Sequence, residues 1–78
     1  MFIAKLMRTA PDWAHADPLS AEVTAWLHRA NEAVREIDPI EAGVMSVHAQ
    51  YLRSDVGRHS TEIIETLRRV SKKLEQRG

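Results

Sequence analysis

Residues 56–76 read Val56-Gly57-Arg58-His59-Ser60-Thr61-Glu62-Ile63-Ile64-Glu65-Thr66-Leu67-Arg68-Arg69-Val70-Ser71-Lys72-Lys73-Leu74-Glu75-Gln76. Ile63, Leu67, Val70 and Leu74 recur at alternating steps of four and three, and Val56 and Ser60 extend the register backwards. That spacing keeps one stripe of an α-helix facing one neighbour, as at a bundle or coiled-coil seam. Glu65 stands three and four residues before Arg68 and Arg69, the favourable order for helical ion pairs. Lys72, Lys73 and Arg77 gather toward the C-terminal end, where cations complement the helix dipole. The pattern predicts a helix over 59–76, with a turn over 54–59 pivoting on Gly57.

A seam of this kind needs partners, and the rest of the chain supplies helices. Leu19, Val23, Trp26, Leu27, Ala30, Ala33, Val34 and Ile37 predict an amphipathic helix over 18–37. Ile40, Val44, Val47 and Tyr51 form a stripe over 39–53, with Met45, Ala49 and Leu52 beside it. Gly43 weakens this helix's first turn by about 1 kcal/mol relative to Ala, or lets another helix come close. Phe2, Ile3, Leu6, Met7 and Ala10 share one face of a short helix over 2–10. Asp17-Pro18 and Asp38-Pro39 each read as an N-cap followed by proline at the first helical position. The second junction also has capping-box spacing to Glu41. Proline disfavours α geometry at the residue before it, so Asp38 should be extended, closing one helix and opening the next. Nothing reads as a strand. The expected fold is all-α: one domain over 1–78, a small bundle of three amphipathic helices plus a short N-terminal helix.

Composition narrows the function. Eleven basic and eleven acidic residues cancel in 78 residues, and cysteine is absent. Whole-chain basic or acidic binding classes are therefore disfavoured, and disulfide frameworks and thiolate metal sites are excluded. No apolar run approaches the ~18–20 residues needed to span a bilayer, and charges interrupt the N-terminal apolar stretch where a secretory leader would be continuous. The expectation is a cytoplasmic protein without membrane contact. A chain this short draws little net stability from its own core and commonly gains more from a partner.

The chemistry-bearing residues form no familiar constellation. His15, His28, His48 and His59 lie in four different segments, without the close ligand pair typical of zinc sites. No nucleophile elbow and no glycine-rich phosphate loop occur. Arg53 and His59 are separated by a span that loosely resembles the Arg–His motif of the HEPN helical nucleases. Arg8 and His15 meet the same loose spacing, and Ser54 stands where that motif carries Asn, Asp or His, so no family is assigned. The expectation is no catalytic residue, no metal ligand and no cofactor.

Two binding readings follow. The leading one is a non-enzymatic protein-interaction module of accessory or regulatory type, which self-associates as a homo-oligomer or docks on a larger protein. Trp13, in a loop between two prolines, is its candidate partner contact, or else it caps the bundle. The alternative is a small helix-turn-helix-like DNA-binding regulator using residues 58–78, where six basic and three acidic side chains leave +3. Its candidate contacts are Arg58, Arg68, Arg69, Lys72 and Lys73. Against it, the basic cluster lies toward the C-terminal half of the helix, whereas base contacts come from the N-terminal part of a recognition helix.

Overall fold

The structure is a computed structural model. It describes residues 2–77, the side chains of Phe2 and Arg77 excepted. The expected places of Phe2 in the first stripe and of Arg77 against the helix dipole lie outside the described residues. The described chain is all-α: α1 (Phe2–Arg8), α2 (Ala21–Ile37), α3 (Pro39–Gln50), a 3-10 turn at Leu52–Ser54, and α4 (Val56–Arg77). It contains no strand among the described residues. Helices α2, α3 and α4 pack in chain order, and α1 lies across α2 and α4.

The seam of α4 is where the spacing placed it. Ile63, Leu67 and Val70 are fully buried and Ser60 nearly so, with Thr66 buried beside them. Thr66 satisfies its hydroxyl within the helix, donating to the Glu62 carbonyl at 2.9 Å. From α2 come Val23, Trp26, Ala30 and Val34, from α3 Ala42 and Met45, from the 3-10 turn Leu52, and from α1 Ile3 and Leu6. Trp26 fills the centre, and its indole N–H donates to the Leu6 carbonyl at 3.1 Å, tying α1 to α2.

Four boundaries move, each for a local reason. Helix α1 ends at Arg8 rather than Ala10, where the Thr9 hydroxyl folds back onto the Lys5 carbonyl at 2.9 Å. Asp17-Pro18 opens a turn and not a helix: the Asp17 carboxylate accepts from Leu19 N and its carbonyl from Ser20 N, both at 2.9 Å. Ser20 then takes the cap, accepting from Val23 N at 3.2 Å, and Leu19 is left 65% exposed outside the core. Helix α3 stops at Gln50, and the chain tightens into the 3-10 turn instead of continuing to residue 53. Helix α4 starts at Val56, a turn earlier than expected, because Asp55 accepts from Arg58 N at 3.1 Å. Gly57 is therefore helical, with no positive φ, and pivots nothing.

The junction at Asp38 forms as read. Asp38 is extended (φ −150°, ψ 95°), its N–H closes α2 on the Val34 carbonyl at 2.7 Å, and its carboxylate caps α3 through Ile40 N and Glu41 N at 3.1 and 3.3 Å. The reciprocal half of a capping box is missing, since Glu41 turns to Arg69 of α4. Asn31 of α2 adds a second tie to α3, donating to the Ala42 carbonyl at 3.0 Å and the Ser46 hydroxyl at 2.8 Å.

Candidate interaction surface

Helix α3 is apolar on two faces. The inner face is Ala42, Met45 and the half-buried Ala49, continued by Leu52. The stripe that dominates the sequence pattern is the other one. Ile40, Val44, Val47 and Tyr51 point outward, 80%, 36%, 53% and 53% exposed. This corrects the expectation that they form the helix's packing stripe: the residues beside them do. Both sets recur at helical spacing, and the contacts with α2 and α4 choose the smaller, Ala- and Met-containing side.

The outward stripe runs about 16 Å along the helix at 1.5 Å per residue. Gly43 lies within it, exposed, with open space where a Cβ would stand. The close approach that Gly43 allows is thus unused inside the fold and available outside it. Glu41 is the only Asp, Glu, Lys or Arg in α3. Its carboxylate is held by the Arg69 side chain at 2.7 Å, away from the stripe. A surface helix normally turns its apolar stripe to the core and polar residues to water; here an apolar stripe also faces outward and is bare.

Trp13 does not stand out as an exposed anchor. It is half-buried and meets Trp26 edge-to-face, with ring centroids 5.9 Å apart and planes at 77°, the arrangement favoured by aromatic quadrupoles. Its indole N–H is buried without a protein acceptor. The loop tryptophan therefore caps the bundle.

The candidate nucleic-acid contacts are largely occupied. Arg68 pairs with Glu65 at 2.7 Å, Arg69 with Glu41 at 2.7 Å, and Lys73 with Asp38. The Glu41 hydrogen bond raises the Arg69 pKa further above its ordinary value. Arg58 and Lys72 are exposed and make no ion pair with a described residue.

Of the histidines, His28 is on the surface beside Glu32 at 3.2 Å, and His15 meets Asp12 at 2.9 Å in the exposed loop. His59 lies on α4, not in a turn, and faces His48 of α3. A cleft of about 700 Å³ opens between the 9–20 loop and α2 and takes in Asp12, His15, Trp26 and Arg29. Beside it, the Thr9 hydroxyl donates to the Lys5 carbonyl, the Ser20 hydroxyl accepts from Val23 N, and the His15 ring bonds the Asp12 carboxylate.

No protein-family model, curated protein or solved structure matches this chain. Nothing in the sequence marked the outward face as outward; the missing signal was which of two equally periodic stripes meets α2 and α4.

Proposed function

We propose that the protein is a non-enzymatic interaction module that pairs with a second copy of itself through the outer face of α3. The observation that carries this reading is the uncovered stripe Ile40, Val44, Val47 and Tyr51 around Gly43. A two-fold pairing brings each patch onto an identical one, so a charged patch would meet its own charge. This patch has none, and the chain's net charge of zero gives no repulsion between copies. Antiparallel pairing sets the Ile40 end of one helix against the Tyr51 end of its mate, with Gly43 near the crossing. An interface of standard size takes about 800 Å² from each partner, roughly a sixth of this chain's 5154 Å² surface, and such a gain suits a domain with a core this small.

Sedimentation across micromolar to millimolar concentration tests it. The expected result is a mass rising from 8.9 kDa toward twice that value, and a Val47→Glu variant that keeps its helical spectrum and stays at the lower mass. A wild-type chain that remains monomeric throughout, or a Val47→Glu chain that associates as the wild type does, overturns the reading. The second outcome would move the contact to another surface; the first would leave α3 to a different protein.

A further inference from the structure

We infer that His48 and His59 form a two-histidine site for a late first-row transition-metal ion, Cu(II) before the others. The rings come from different helices, the last turn of α3 and the first turn of α4. Their Nδ1 atoms stand 2.9 Å apart, with ring centroids at 5.1 Å and planes at 44°. Two nitrogens each about 2.0–2.1 Å from one ion are separated by about 2.9 Å across a 90° edge and about 3.3 Å across a tetrahedral edge. The observed spacing is already within a few tenths of an ångström of both. Binding requires the rings to turn until the two Nδ1 lone pairs converge beside the line that joins them.

The backbone holds the pair in place. Ser54 N–H and Oγ both donate to the Tyr51 carbonyl, at 3.0 and 2.7 Å, fixing the turn after α3. Arg58 N–H donates to the Asp55 carboxylate at 3.1 Å and His59 N–H to the Asp55 carbonyl at 3.0 Å, fixing the start of α4. Both rings are half-buried, so they are positioned by packing yet reachable from water. In the metal-free pair one Nδ1 donates and the other accepts. On binding, the donating ring shifts its proton to Nε2 through solvent, and both Nδ1 lone pairs turn to the ion. Among the described residues, no group of three or more metal-binding side chains exists. The chain therefore supplies two ligands and water the rest, which makes an exchangeable site whose order of preference is set by the ion, with Cu(II) above Ni(II) and Zn(II). Spacing in sequence hid the pair, since the two histidines stand eleven positions apart and the 3-10 turn closes the gap.

Titrating the full chain with Cu(II), Ni(II) and Zn(II) salts in a non-coordinating buffer tests the site. The expected result is one equivalent of Cu(II) per chain, with two nitrogens in its electron paramagnetic resonance spectrum. At free Cu(II) about 100-fold above Kd, Tm rises by about 10 °C or more, because only the folded chain brings the two rings together. His48→Gln and His59→Gln, each checked for an unchanged helical spectrum, should weaken binding by more than the roughly 10- to 100-fold that loss of an outer-shell partner costs. A His15→Gln, His28→Gln double variant should bind as the wild type does. Unchanged or lowered Tm in wild-type protein, or undiminished Cu(II) affinity in either of the two single variants, overturns the inference.

Discussion

Lys73, near the C-terminal end of α4, donates to the carboxylate of Asp38, the one residue between α2 and α3. A single side chain thus caps α3 and receives α4 while its backbone N–H closes α2. The Lys73 ammonium, with help from Glu41 N–H and Ile40 N–H, lowers the Asp38 pKa below its ordinary 3.8. A carboxyl whose folded pKa is depressed contributes stability above the unfolded value and loses it as pH falls through the folded one.

Asp38→Asn keeps a capping oxygen and removes the charge. Its Tm should lie a few degrees below that of the wild type at pH 7. The gap should be smaller in acid, below the ordinary carboxyl value of 3.8, and should vanish as pH falls through the depressed folded value and the wild-type carboxyl is protonated as well. Thermal melts at pH 7 and in acid check this, and a gap that persists unchanged in acid would show that Lys73 contributes nothing through Asp38.

Trp26 is 2% exposed and bonded to the Leu6 carbonyl, whereas Trp13 is half-buried with an indole N–H that no protein group accepts. Trp26→Ala should cost about 3–5 kcal/mol, comparable with the whole stability of a small domain, and abolish a cooperative melt. Of the two milder changes, Trp26→Phe leaves the Leu6 carbonyl only the Thr9 hydroxyl at 3.3 Å and should cost more than Trp13→Phe, which removes an unpaired donor. Urea midpoints of the two phenylalanine variants in the reverse order would contradict this placement of the rings.

Gly43→Ala meets no atom within 4 Å and needs no positive φ. It should stabilise the monomer by about 1 kcal/mol through helix propensity, raising Tm by roughly 4–8 °C at dilute concentration. The added methyl also fills the hollow of the outer stripe, so self-association should weaken. Melts and sedimentation on one sample separate the two effects, which should have opposite signs.

Three of the five candidate phosphate contacts are tied to Glu65, Glu41 and Asp38. Retention on a DNA duplex should therefore be absent at about 0.15 M salt. Phosphate-driven binding falls steeply with salt, so a steep fall from tight binding at low salt would restore the DNA-binding reading.

The parts legible in the sequence are those set by local chemistry or by one unambiguous face. Asp38 was readable because proline forces the residue before it out of α geometry and a carboxylate there meets bare N–H groups. The same dipeptide at Asp17-Pro18 misled, since Ser20 competes for the cap two residues on. The seam of α4 was readable because its opposite side is charged. The outer face of α3 was not, because Ala42, Met45 and Leu52 repeat as regularly as Ile40, Val44, Val47 and Tyr51, and only the neighbouring helices break the tie. The His48–His59 pair depends on a turn whose tightness no spacing rule conveys.

The placement of α1 bears on how the chain reaches this state. From α2 onward, each helix packs on the next one in the chain, across connections of one to five residues. Those contacts are local, and local contacts form quickly because little loop entropy opposes them. Helix α1, the helix farthest from α4 in sequence, must also find it, bringing Ile3 and Leu6 into the cluster that holds Ile63, Leu67 and Val70. Docking of α1 on α4 is then expected as a late event of folding, one that closes the longest loop between packed helices.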